Sequence, residues 1–216
     1  MEGSPHRVGD VMTRAVVAVG REARFKDIVA RMEQWQISAL PVVEGDGRVI
    51  GVVSEADLLP KEEFRDDDPD RCTQQSRLPD LAKAGALTAE QLMSTPAVTV
   101  RADATLAEAA RIMALRRVKR LPVVTAEGLL DGVVSRGDLL KVFLRPDHDL
   151  ADEIRRDVLD PLFPAPVEPV HITVTDGVAT LTGRVPDSSR IPLAVRLVRG
   201  VEGVVRVDCR LTAADA

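Results

Sequence analysis

The strongest constraint on this chain is an internal repeat that runs without a gap from residue 11 to residue 59. Val11–Met12–Thr13 returns as Leu92–Met93–Ser94, and Leu40–Pro41–Val42–Val43 returns as Leu121–Pro122–Val123–Val124. Gly51–Val52–Val53–Ser54 returns as Gly132–Val133–Val134–Ser135, and Asp57–Leu58–Leu59 as Asp138–Leu139–Leu140, every pair 81 positions apart. Self-similarity at one fixed offset means two copies of a single supersecondary unit, neither of which covers its apolar face alone.

Within each copy the hydrophobic period changes in a set order. Phe25, Ile28, Val29 and Met32 fall on one helical face, and Leu106, Ala109, Ala110 and Met113 repeat them. The short β-branched runs Val16–Val19, Leu40–Val43 and Val49–Val53 read as strands, and Ser54 or Ser135 is placed to cap a closing helix. Each copy is therefore expected to be β-α-β-β-α. Between the copies, residues 61–89 read as a solvated linker around the acidic run Asp66–Asp67–Asp68–Pro69–Asp70. Arg145–Pro146–Asp147 opens a different pattern, helix-strand-strand-helix-strand over 149–212. There Val170, Ile172 and Val174 alternate, Asp176–Gly177 suits a hairpin turn, and Ser188 or Ser189 can cap a helix running to Arg199. The expected fold class is α+β: two β-α-β-β-α repeats (8–60 and 90–145) packed as a pseudo-two-fold pair, plus a small α-β-β-α-β domain.

Composition narrows the function. A net charge of -5 and a pI near 5.3 argue against nucleic acid as a partner, and 2% aromatic residues leave no stacking platform for single strands. The segment Met1–Asp10 lacks the apolar run of an export signal, so cytoplasmic residence is expected, with Cys72 and Cys209 as reduced thiols. His6, His148 and His171 are too scattered for a metal site, and no P-loop, GxGxxG, GxSxG or HExxH occurs. The expectation is a protein that is not an enzyme, with no catalytic residues, no metal and no required cofactor.

The Gly-x-x-Ser-x-x-Asp motif, present as Gly51, Ser54, Asp57 and as Gly132, Ser135, Asp138, carries its own chemistry. Glycine lets a ligand approach the backbone, serine starts a helix whose free N–H groups favour an anion, and a carboxylate can accept from vicinal ribose hydroxyls. The same residues also make an ordinary helix cap.

With these motifs in hand, residues 8–145 resemble a Bateman module, the tandem pair of CBS domains. The turn and strand residues Asp176–Gly177–Val178, Leu181–Thr182–Gly183 and Val201–Glu202–Gly203–Val204 resemble a BON domain. The first resemblance implies an adenine nucleotide (AMP, ADP or ATP) as regulatory ligand, with the Asp on the ribose hydroxyls, the Ser or Thr near ribose and phosphate, and backbone of the opening strand on the adenine. Carried over repeat by repeat, the second site comprises Ser94, Thr95, Pro96, Ala97, Lys119, Arg120, Leu121, Pro122, Ser135, Arg136 and Asp138. The first comprises Thr13, Arg14, Val16, Ala39, Pro41, Ser54 and Asp57. Lys119, Arg120 and Arg136 surround a phosphate in this reading, whereas Ser38, Ala39 and Glu55 stand at the matching positions, so the second repeat is expected to bind better. The resemblance further implies a homodimer through the CBS repeats and a relay of occupancy to the BON-like domain or an unknown protein partner. The alternative is a ligand-free CBS dimerisation scaffold presenting a BON domain for phospholipid or protein binding. The helix with Arg190, Arg196 and Arg199 is expected to pack its apolar side on the small sheet, with membrane lipid the lesser alternative.

Overall fold

The computed structural model describes residues 6–65, 77–164 and 170–213, and these form two compact units. One is Arg7–Arg136; the other runs from Gly137 and includes His6. The acidic run 66–70, Cys72, Pro166 and Pro169 lie outside the described residues.

The first unit holds both repeats up to Arg136. In chain order it contains α1 (Val8–Val11), β1 (Val19–Gly20), α2 (Phe25–Trp35), β2 (Ala39–Glu44), β3 (Arg48–Ser54), α3 (Glu55–Leu58) and α4 (Pro60–Glu63). Then come α5 (Leu78–Gly85), α6 (Ala89–Leu92), β4 (Val100–Arg101), α7 (Leu106–Arg116), β5 (Arg120–Val124), β6 (Leu130–Ser135) and the start of α8 (Arg136–Leu140). Each repeat makes a three-stranded sheet, β1-β2-β3 or β4-β5-β6, with the first pair parallel and the second antiparallel. Irregularities recur at the same place, a register shift at Val42/Val43 and at Val123/Val124. The helices α2 and α7 also end alike, on left-handed Gln36 (φ 50°) and Arg117 (φ 54°). The opening strand is shorter than its apolar run suggests, because only Val19–Gly20 and Val100–Arg101 find a ladder partner.

The repeats exchange their opening segments. Thr13 bridges Val133 and Ser94 bridges Val52; Arg7 bridges Thr105 and Arg24 bridges Thr88. Shifting each residue by 81 positions converts one member of each couple into the other, which is the signature of a two-fold relation. Arg48 and Leu129, themselves 81 apart, bridge each other and so lie on that axis. The core follows the exchange: Val19, Ile28, Met32, Leu40, Val42 and Val53 of the first repeat are sealed by Ala86, Ala89 and Leu92 of the segment that opens the second. In return, Val8 is fully buried and α1 is hydrogen-bonded to Ala102 and Ala104. At about 25 cal/mol per Å² of apolar surface, such mutual burial is what neither repeat obtains alone.

The second unit continues α8 into a 3₁₀ turn (Lys141–Leu144), then α9 (Asp147–Ile154), a π turn (Arg155–Leu159) and α10 (Asp160–Leu162). A hairpin of β7 (His171–Thr175) and β8 (Val178–Val185) is followed by α11 (Ile191–Arg199) and β9 (Arg206–Ala213), which lies parallel to β8. Asp176 (φ 49°) and Gly177 (φ 72°) both take the left-handed conformation that a two-residue hairpin turn needs. The Asp147 carboxylate accepts both turn amides, from Asp176 at 2.8 Å and Gly177 at 3.0 Å. Neither Ser188 nor Ser189 caps α11: both lie in a 3₁₀ turn (Ser188–Arg190) that leads into it, and that turn is capped by Asp187, whose Oδ1 accepts from Ser189 N at 2.9 Å. Ala194 and Val198 of α11 are fully buried on the sheet, whereas Leu193 and Leu197 stay exposed.

Candidate ligand cleft

The exchange of opening segments decides which motifs meet. A cavity of about 240 Å³ is floored by Val52, Ser54 and Asp57 of the first repeat and walled by Ser94, Pro96, Ala97 and Val98 of the second. Ser38 and Ala39 at the start of β2, and Arg117, Lys119 and Arg120 ahead of β5, complete it. The cavity groups the expected residues across the repeats rather than within each: Ser54 and Asp57 share one cleft with Ser94, Pro96, Ala97, Lys119 and Arg120. Ser38 and Ala39 are on the same side as the cations instead of marking a rival cleft.

Local bonding shows how the cleft is held. Ser94 exchanges two backbone hydrogen bonds with Val52 (2.9 and 3.2 Å), and Thr95 Oγ1 donates to Ile50 O at 3.0 Å. Gly51 permits this approach: a Cβ there would sit 2.4 Å from Met93 Sδ, so the glycine of one repeat receives the methionine of the other. Gly132 meets Met12 Sδ in the same way, at 2.7 Å. These contacts give a packing reason for the Met and the Gly of the doubled motifs.

Asp57 is the sole buried charged residue among those described, at 7% exposure. Its Oδ2 accepts from Ser54 N at 2.8 Å and from Ser54 Oγ at 2.6 Å, as in a capping box. Its Oδ1 accepts from Ser94 Oγ at 3.2 Å and from Lys83 Nζ, with which it forms an ion pair. Lys83 comes from α5, in the stretch the sequence presents as linker, and sequence reasoning missed it.

At the other end, Arg117 and Lys119 are exposed and Arg120 is half-buried. Arg120 Nη2 donates to Ser38 Oγ at 2.8 Å, while its buried Nε has no hydrogen-bond partner among the described residues. A buried guanidinium N–H without a partner is costly, and marks where a further acceptor is wanted. Arg136 does not line the cavity: its backbone N–H donates to Lys119 O at 3.1 Å and its Nη2 to Val118 O at 3.1 Å, so it braces the cationic segment from behind. Arg117 takes the third cationic place that the sequence reading gave to Arg136. Glu55 does not line the cations' cavity but a neighbouring groove with Glu33, Glu62 and Leu59, in which Arg120 also has a part.

The other expected site residues fall elsewhere. Leu121 is fully buried in the core of β5, with Pro41 and Pro122 buried in their ladders. Thr13 pairs with Val133, Arg14 makes an exposed ion pair with Asp131 at 3.4 Å, and Val16 is half-buried. Asp138 forms an ion pair with Lys141 at 2.7 Å within the second unit. Ser135 closes β6 in the first. Among the described residues no group of three or more His, Cys, Asp or Glu could hold a metal ion, and no helix is long and apolar enough to cross a membrane.

The family model of the CBS domain matches residues 8–61 and 89–145. The chain belongs to the CBS-domain family. A BON domain model matches residues 146–215, so the CBS pair is followed by a BON domain. An uncharacterized protein of Methanocaldococcus jannaschii is 26% identical, over 63% of this chain and 90% of its own length. The chloroplastic CBS domain-containing protein CBSX2 of Arabidopsis thaliana is 28% identical, over 65% of this chain and 64% of its own length. The match to inosine-5'-monophosphate dehydrogenase of Korarchaeum cryptofilum (28% identity) covers 67% of this chain but 25% of that enzyme. Among solved structures, CBSX2 in complex with AMP superposes with a TM-score of 0.57 at 28% identity, covering 64% of this chain and 97% of that one. The CBS pair of the protein MJ0100, solved with 5'-methylthioadenosine and S-adenosyl-L-methionine, shares the fold at 16% identity and a TM-score of 0.53 over 65% of this chain and 97% of its own.

Proposed function

We propose that this CBS pair is a regulatory module that binds an adenine nucleotide, AMP, ADP or ATP, in the cleft between Asp57 and Arg120. The observation that carries the reading is the convergence in one cavity of a buried carboxylate and three cations, Arg117, Lys119 and Arg120. In this arrangement the adenine stacks along Ser94, Pro96, Ala97 and Val98, the ribose hydroxyls turn to Asp57, and the phosphate meets the cations, with Arg120 Nε gaining an acceptor. The AMP complex of CBSX2, a relative at 28% identity, supports the ligand class. No step of chemistry is assigned to the cleft; occupancy is the signal, relayed to the BON domain or to a protein partner. Exposed Val29 and Leu59 beside the groove suit a homodimer through the CBS repeats, and residence is cytoplasmic.

Titration calorimetry of the full chain with AMP, ADP and ATP tests the reading. Wild type should bind, Asp57→Asn should lose most of its affinity, and Asp138→Ala should keep it. Equal affinity in wild type and Asp57→Asn would sink the assignment. The absence of any nucleotide effect on melting would turn the reading to a ligand-free scaffold.

A further inference from the structure

The carboxylate that the proposed ribose site depends on is already saturated. A carboxylate offers about four acceptor positions. Asp57 fills two with Ser54 N and Ser54 Oγ on Oδ2, and two with Ser94 Oγ and Lys83 Nζ on Oδ1. Two vicinal hydroxyls cannot add to this set without displacing a donor. Both Ser54 donors belong to the capping box that starts α3, and Ser94 belongs to the wall of the cleft, so these are built in. Lys83 alone arrives from outside the two repeats.

The helix that brings it is lightly held. None of the side chains of α5 is buried. Its anchors include Lys61 Nζ on Ala84 O at 2.8 Å, Arg77 just before its first turn, paired with Glu63 and lying over the Phe64 ring at 5.0 Å, the C-cap Ala86 in the first core, and Lys83 itself on Asp57. Segments with few buried apolar contacts and exposed ion pairs open at low free-energy cost. By contrast, the Lys83–Asp57 pair is largely withdrawn from water, with side-chain exposures of 21% and 9%, and is the strongest tie of the helix to the cleft.

We propose that Lys83 is a competing cation on the ribose acceptor, so that a nucleotide must displace it from Asp57 and, in doing so, frees α5. The inference rests on the reading of the cleft given above. It makes α5 an internal inhibitor whose release reports occupancy. It also adds a residue that sets affinity without itself holding the ligand.

The test is calorimetry of AMP and of adenosine on the full chain, wild type against Lys83→Met, which keeps an apolar stem and removes the competing charge. Both ligands should bind about tenfold tighter to Lys83→Met, since both need the ribose acceptor. Because loss of Lys83 leaves Asp57 buried without its counter-ion, a second measurement is made on unaltered protein. Saturating AMP should speed amide hydrogen exchange over residues 80–85 several-fold. Unchanged or weaker binding by Lys83→Met, or unchanged or slower exchange in α5, would overturn the proposal. If wild type binds AMP through Asp57 and either result fails, the strap alone falls. If neither protein binds AMP, or if Asp57→Asn binds as wild type does, the cleft reading falls and takes the strap with it.

Discussion

The exchange of opening segments can be tested through one pair of atoms. Gly51 is buried in β3 and takes an ordinary extended φ, so alanine is conformationally allowed there and would by itself favour the strand by about 0.5–1 kcal/mol. Its Cβ, however, would stand 2.4 Å from Met93 Sδ, 2.8 Å from Cγ and 3.0 Å from Cβ. Overpacking of this kind costs about 1–3 kcal/mol, so Gly51→Ala should destabilise by roughly 1–2 kcal/mol net. The three nearest atoms all belong to the Met93 side chain. A Met93→Ala background removes Sδ and Cγ, the two closest, and leaves only the Cβ at 3.0 Å, so Gly51→Ala should become close to neutral. The expected coupling is about 1–2 kcal/mol, well above the few tenths that separate independent sites. Gly132 provides the control, because there the conflict includes Thr13 O at 3.0 Å as well as Met12 Sδ at 2.7 Å. A backbone oxygen cannot be trimmed away, so Met12→Ala should rescue Gly132→Ala only in part. Urea unfolding followed by Trp35, the single tryptophan, which lies in α2 of the same unit, reads all six variants at constant m. Equal cost for Gly51→Ala with and without Met93 would refute the contact, and with it the crossed pairing of the motifs.

Other consequences are simpler. Arg120→Met should weaken AMP about ten- to a hundredfold by calorimetry while leaving adenosine within about twofold, because only the phosphate needs the guanidinium; equal losses for both ligands would move Arg120 out of the phosphate end. Asp147→Ala removes the acceptor of two turn amides, and should speed hydrogen exchange at Asp176 and Gly177 at least tenfold, with a stability loss of about 1–2 kcal/mol; unchanged protection would refute the brace. Thr105→Ala, which removes the acceptor for Glu108 N at the start of α7, should cost about 1 kcal/mol in the Trp35-monitored transition. In that same capping box the Thr105 backbone N–H holds the Glu108 carboxyl below its ordinary value of 4.5. A carboxylate lowered on folding stabilises above its ordinary value and loses that contribution as the pH falls through the lowered one, so the gap between wild type and Glu108→Gln should be constant near neutrality and close in acid. A gap that stays constant into acid would show that the charge does not matter.

Much of the fold is legible in the sequence because its signals are local. The 3.6 period of Phe25, Ile28 and Met32, the β-branched runs of β2 and β3, and the Asp176–Gly177 turn each fix their element without help from elsewhere. The boundaries that differ were decided by partners: β1 shrinks to Val19–Gly20 because only those residues meet β2, and α11 starts at Ile191 because residues 188–190 wind first into a 3₁₀ turn capped by the Asp187 carboxylate on Ser189 N.

The site was harder to read for a reason rooted in symmetry. A repeat in sequence is a translation: it states that Asp57 and Asp138, or Ser94 and Thr13, are equivalent, but not which member of one pair faces which member of the other. In space the repeats are related by rotation, and the choice is made by the residues that seal the cores. Ala86, Ala89 and Leu92 close the first core although they precede the second sheet, and that placement carries Ser94 and Pro96 over to Asp57. The crossed pairing therefore gathers Ser94, Pro96, Lys119 and Arg120 around the Asp57 cavity without altering one local motif. Lys83 was hidden for a related reason. It lies between the repeats, where no periodic partner marks it, and it gains meaning only once α5 lies against the carboxylate of a helix cap 26 residues earlier in the chain. The two repeats are thus equal in pattern but unequal in what reaches them, and the asymmetry of the cleft arises from the segment that is not repeated.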